Sequence, residues 1–211
     1  KTYVRGLVML LLKAIYAEFG NDKLNKVAVE YSLGDGYFCD IKGDVILTEQ
    51  AMLSIENRMR DYVAEDIPFE KYSVNTRQAI EKFAAYNMHD KEKLFQYRRS
   101  SRVNIYALGH FEDYYYGAMP YSTSVLKYFK VIPYEGGLVL MAPNRKAPEE
   151  IAPFIPSPKL FHVFRESNEW GKKVDVDTVG ALNDMIAKGS MKELILTQEA
   201  LHEKKIAEIA D

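Results

Sequence analysis

Apolar positions recur along this chain with two periods, one near 3.6 and one of 2, and they divide it into helices and strands. Leu7–Phe19 is apolar over a broad face and stops at Gly20-Asn21-Asp22, which predicts a buried helix. Val27, Val29, Tyr31 and Leu33 alternate with polar residues, and Tyr37–Ile41 follows Gly34-Asp35-Gly36, which predicts a hairpin. Thr48 is placed to cap a helix whose stripe is Met52, Ile55, Met59, Tyr62 and Val63, ending before Pro68. Phe69–Val74 reads as a strand, and Thr76 as the cap of a helix with Ile80, Phe83 and Ala84 inward. From Arg102 to Met141 the period shortens, giving strands at Val103–Ala107, Val125–Ile132 and Leu138–Met141. This order predicts an α+β fold with one antiparallel sheet and packed helices.

A boundary follows. Five of the eight prolines lie between Pro143 and Pro158, and proline removes a donor and fixes φ, so the stretch reads as an extended connector. Beyond it, Lys159–Ser167, Val179–Ala187 and Met191–Ala210 read as helices, the last with Leu194, Ile195, Leu201, Ile206 and Ile209 among its inward residues. The expected organisation is an α+β domain over 1–142, a connector over 143–158 and a helical extension over 159–211.

Composition narrows the functional classes. The chain has 211 residues, 47% hydrophobic and 27% charged, which suits a soluble globular protein with ample core. No run of eighteen apolar residues is present, so no membrane span or membrane partner is expected. A single cysteine, Cys39, rules out an intrachain disulfide and a Cys-based zinc site, and fits a cytoplasmic setting. A net charge of -2 argues against a dedicated non-specific nucleic-acid binder. The chain begins at Lys1, which is read as the start of a piece of something longer.

Candidate chemistry is sparse. No phosphate-binding loop of the form GxxxxGK[ST] is present, since Glu166 stands where Gly171-Lys172 would need its first glycine. The four histidines, His89, His110, His162 and His202, are not spaced as helical ligand pairs, so structural or surface roles are expected and no metal site. Arg98, Arg99 and Arg102, with Phe95 and Tyr97, form a cationic stretch suited to phosphate or RNA contact, or a solvated loop leading into a strand. Asp113-Tyr114-Tyr115-Tyr116-Gly117 is an aromatic run that either lines a pocket or edges a sheet.

Several of these segments share a known pattern. Leu47-Thr48-Glu49 through Arg58-Met59, followed by Glu65-Asp66-Ile67-Pro68-Phe69-Glu70, resembles the threonyl-tRNA synthetase editing-region signature "LTxE…IExxM…DLPFER". Gly34–Asp40 is similar to that family's "GxGFYYDF" hairpin, and Phe111–Thr123 to its "FVDLCRGPHVPST" stretch. The resemblance runs from Arg5 to Met141 and implies the second additional domain shared by threonyl- and alanyl-tRNA synthetases. That family deacylates with an HxxxH pair on the first helix and a CxxxH pair in the later motif. Carried over, these positions are Arg5, Met9, Tyr115 and Met119, so all four groups are replaced. Arginine is no base near neutral pH, methionine has no proton to give, and tyrosine titrates near 10. The resemblance therefore implies a degenerate, non-catalytic pocket at Arg5, Met9, Asp113, Tyr115 and Met119 that takes a small ligand or a tRNA end.

Trp170-Gly171, Val179–Asp184 and Glu199–Ala210 look like the connector of bacterial uridine kinase-like proteins, of the phosphoribulokinase/uridine kinase family. That resemblance implies an accessory or regulatory module whose partner in cis is a C-terminal nucleoside kinase domain using ATP and Mg²⁺. It also implies no cofactor in this chain itself, and leaves room for oligomerisation through the helices. The competing reading is a metal-independent tRNA-binding or aminoacyl-tRNA deacylase module.

Overall fold

The computed structural model describes residues 1–210 and has the expected α+β architecture with antiparallel sheets. Asp211, the last residue of the predicted extension, lies outside the described residues. Helix α1 (Thr2–Phe19) begins earlier than its apolar stripe and buries Leu7, Met9, Leu10, Leu11, Ala14 and Ile15. Strands β1 (Leu24–Leu33) and β2 (Gly36–Gly43) form the hairpin around Gly34-Asp35, with Leu33 opposite Gly36. Helix α2 (Glu49–Ala64) is capped by Thr48, whose hydroxyl accepts from Ala51 N–H at 3.1 Å, and it buries Met52, Ile55 and Met59.

Strand β3 (Phe69–Asn75) leads into α3 (Thr76–Ala85). The cap of α3 is Asn75 rather than the expected Thr76: Arg77 N–H donates to Asn75 Oδ1 at 2.9 Å, while Thr76 Oγ1 donates to Ser100 O. Helix α4 (His89–Gln96) was not legible as a helix, because Phe95 is its one fully buried residue. Strands β4 (Arg102–Leu108) and β5 (Phe111–Asp113) follow. The strand expected at Val125–Ile132 is displaced: Thr123–Val125 is a single 3-10 turn, Leu126 and Phe129 turn into the core, and β6 spans Lys130–Tyr134. Strand β7 (Gly137–Met141) is buried throughout.

The strands make two sheets, not one. Four run in the order β1-β2-β7-β6 and three in the order β3-β4-β5, all neighbours antiparallel. Alternation identifies a strand but not its partner, which is why a single sheet was the simpler expectation. Helix α1 lies at the centre, and its apolar side shares one core with α2 and with residues of both sheets.

Residues 142–157 hold no helix or strand. Helices α5 (Pro158–Lys173), α6 (Val179–Lys188) and α7 (Met191–Ala210) come after it. Phe161 of α5 is buried among Leu33, Phe38, Val139 and Met141, and Phe164 stacks on Tyr31 with ring centres 4.3 Å apart. Helix α6 sits on α4, where a Cβ on Gly180 would come 2.8 Å from Lys93 Cβ. The inward face expected of α7 is not formed: Leu194 is its one buried residue, and Ile195, Ile206 and Ile209 are exposed. No helix is long and apolar enough to cross a membrane among the described residues.

Candidate functional site

Arg5, Met9, Lys13 and Tyr16 recur at helical spacing along α1, so they share one face. Segment 111–119 runs against that face. At one end Phe111 meets Tyr16, with ring centres 5.6 Å apart. At the other, the Arg5 guanidinium donates to Ala118 O and lies under Gly117, where an added Cβ would come 2.8 Å from Arg5 Cζ. Gly117 has φ +111°, so both its conformation and its close neighbour require glycine. Tyr106 Oη donates to Gly117 O at 2.7 Å and fixes the same loop from the β4 side.

The five residues expected in a degenerate pocket therefore do come together, but as packed structure more than as an open cleft. Met9 is fully buried, and Tyr115 and Met119 pack against the same core. Tyr115 Oη is enclosed and makes no hydrogen bond of normal geometry, with the Asp113 carboxylate close by. Burial, and then the negative charge of Asp113, push the Tyr115 hydroxyl well above its usual value. Asp113 is buried too. Its carboxylate takes an ion pair from Lys91 of α4 and the N–H of Tyr114 at 2.6 Å. Burial raises its pKa, and Lys91 opposes that shift. Lys91 carried no signal in the sequence, because the helix that delivers it was not legible. Cys39, placed elsewhere by sequence position, is fully buried; burial raises its thiol pKa, and its ionised form would further disfavour ionising Tyr115.

The cationic stretch adjoins this segment. Arg98 donates to Tyr114 Oη at 2.7 Å and lies 5.3 Å from the centre of that ring. Arg99 is exposed. Arg102 is turned the other way, donating to Ser73 O at 2.7 Å and Ser73 Oγ at 3.1 Å, so it ties β4 to β3. Arg98 and Arg5 thus flank one backbone segment, 113–119, although the sequence places only Arg5 with that segment and Arg98 in a separate cationic stretch.

The far end of the segment is anchored by a buried knot. Thr123 Oγ1 accepts from Ile67 N–H at 2.9 Å and donates to Tyr62 O, and Thr123 N–H donates to Ile67 O. Ser122 Oγ donates to Asp66, which stands at φ +52° where α2 gives way to β3. The "DIPF" and "ST" phrases of the sequence are therefore two halves of one hydrogen-bonded joint.

No protein-family model matches the chain. Among curated proteins, the threonine–tRNA ligase of Lawsonia intracellularis is 24% identical over 156 residues, 74% of this chain and 24% of that protein. That of Listeria welshimeri is 27% identical over 131 residues, 62% of this chain and 20% of that one. That of Thermotoga petrophila is 28% identical over 136 residues, 64% of this chain and 21% of that one. The chain carries a threonyl-tRNA-synthetase-like domain. It spans a quarter or less of the length of these relatives. Within the synthetase-like domain, no three His, Cys, Asp or Glu side chains stand close enough to hold a metal ion among the described residues.

Proposed function

We propose that the synthetase-like domain binds the acceptor end of a tRNA and does not hydrolyse an ester there. The observation that carries this is the pair of guanidinium groups, Arg5 and Arg98, flanking segment 113–119, with Met9, Tyr115 and Met119 packed in or against the core beneath it. Guanidinium groups suit phosphate oxygens, which they meet with paired N–H donors. Hydrolysis would need a base or nucleophile between them, and that region offers a thioether pair and a phenol whose ionisation is suppressed. The similarity to threonine–tRNA ligases supports tRNA as the ligand class.

The test is fluorescence anisotropy with labelled tRNA, alongside hydrolysis of a mischarged tRNA. Binding that weakens in Arg98→Gln, with a salt slope about one unit shallower, is the expected result. A hydrolysis rate that disappears in Tyr115→Phe would favour the deacylase form instead.

A narrower proposal concerns the parent polypeptide. The sequence of α5, α6 and α7 resembles the connector of uridine kinase-like proteins, and on that ground a nucleoside kinase domain, with ATP and Mg²⁺, would follow in the same chain. The relatives named above are synthetases, so this rests on the sequence of α5, α6 and α7 alone. Reading the gene beyond Asp211 tests it: a GxxxxGK[ST] loop supports the kinase parent, and a stop codon removes it.

A further inference from the structure

Segment 114–121 presents more aromatic surface to solvent than the fold uses. Tyr114 is engaged by Arg98 and by Phe95, and half-buried Tyr115 packs on the core with its hydroxyl enclosed. Tyr116 is 87% exposed and Tyr121 is 72% exposed. Tyr121 Oη reaches only Ser124 Oγ, at 3.5 Å, so its ring stands in water. The backbone beneath both rings is nonetheless fixed. Gly117 O accepts from Tyr106 Oη, Ala118 O accepts from Arg5, and Tyr121 O accepts from Phe69 N–H at 3.1 Å. Exposed rings on anchored backbone lose little freedom when a flat ligand stacks on them.

The two tyrosines are five steps apart along the chain, so their Cα atoms are at most about 18 Å apart, a span that a few nucleotides cover. Arg98 stands beside Tyr114, two residues before Tyr116, and Arg99 is exposed next to it. The whole chain carries a net charge of -2, so its attraction for a polyanion is local. That combination suits a short unpaired strand and disfavours a long duplex footprint.

We infer that Tyr116 and Tyr121 are stacking platforms for the unpaired bases of an RNA tail, with Arg98 and Arg99 as phosphate contacts. This rests on the tRNA-binding reading and adds the mode of recognition. Every base has a π face, so recognition is by the unpaired state of the strand and tolerates changes of base.

Anisotropy with labelled tRNA, intact and with its unpaired 3′ nucleotides removed, tests this on the full chain. Intact tRNA is expected to bind at least about tenfold more tightly than the trimmed form. Tyr116→Ser and Tyr121→Ser should each weaken binding of intact tRNA by roughly 5- to 100-fold, and leave trimmed tRNA unaffected. Tyr116→Trp should retain binding and show indole quenching on titration. Thermal melting serves as the control for folding, since both side chains are exposed. Equal binding of both tRNAs, with wild-type affinity in the serine variants but loss in Arg98→Gln, overturns the stacking inference and leaves the tRNA-binding reading standing. Absence of binding to either tRNA overturns both.

Discussion

The anchors of segment 111–124 and its centre treat buried polar atoms in opposite ways. At the anchors, Asp113 is matched by Lys91 and by Tyr114 N–H, and Thr123 Oγ1 both accepts and donates. At the centre, Tyr115 Oη makes no hydrogen bond of normal geometry, and Met9 and Met119 supply only packing. By the resemblance, the anchors fall on positions that match the synthetase pattern and the centre on positions that depart from it. The anchors hold the backbone in place, and the centre only packs. A loop so positioned presents a surface whatever its central side chains are, which is why the proposed tRNA binding is tested separately from hydrolysis.

The sharpest way to break this comparison is at the first anchor. Lys91→Met leaves the buried Asp113 carboxylate uncompensated, and a loss of about 3–5 kcal/mol in urea unfolding is expected. The pH dependence has a definite sign. An acid whose folded pKa is raised stabilises the fold at low pH, where it is neutral in both states. It loses that contribution as pH rises from the ordinary carboxylate value through the folded one. Lys91→Met should therefore be less destabilised under acid conditions than at neutral pH, and a flat profile would contradict the burial of Asp113.

Thr123→Val comes next. It removes an acceptor from Ile67 N–H and a donor from Tyr62 O, with an expected cost of about 1–3 kcal/mol. Hydrogen exchange should quicken first at Ile67, which reports the joint directly.

Glu112, beside the first anchor, gives a smaller effect. Burial acts to raise its pKa, but hydrogen bonds from Lys82, Tyr72 and Tyr86 outweigh it and hold the carboxyl below its ordinary value. A depressed pKa gives stability that is present above the unfolded value and lost as pH falls through the folded one. Glu112→Gln should abolish that part of the acid sensitivity and cost about 1 kcal/mol or less at neutral pH, because the site is partly open to solvent. A parallel acid-unfolding curve for the variant would argue against the network.

Tyr115→Phe is the smallest change and carries the opposite sign. Deleting an enclosed hydroxyl that makes no hydrogen bond of normal geometry should be neutral or stabilise by up to about 1 kcal/mol. A loss as large as that of Thr123→Val would mean that anchor and centre do not differ.

Most elements were legible, and the misses have physical causes. Helix α1, the β1–β2 hairpin and the Thr48 cap follow from period and capping chemistry within a few residues of each other. Helix α4 did not, because its eight residues hold little apolar surface. It is held by neighbours, with Phe95 against Phe83 at 5.5 Å between ring centres and Gly180 of α6 against its backbone. Asn75 and Thr76 are both competent caps, and only the hydrogen bonds of the fold distinguish them. The candidate residues on α1 and in 113–119 were placed by resemblance, whereas Lys91 and the approach of Arg98 to Tyr114 depend on contacts between distant segments.

The sequence by itself determined which residue types stand at each candidate position. The resemblance puts Arg5, Met9, Tyr115 and Met119 where that family keeps its histidines and cysteine, and residue type limits what those side chains can do whatever their surroundings. Only the tertiary structure decided which charges meet and which rings stay in water. Arg98 turns to Tyr114 while Arg102 turns to Ser73, and the Tyr115 hydroxyl is enclosed while Tyr116 beside it is exposed. Tyr115 and Tyr116 take opposite fates because the chain bends at Tyr116-Gly117 after β5, and the packing of α1 selects which of the two rings is covered.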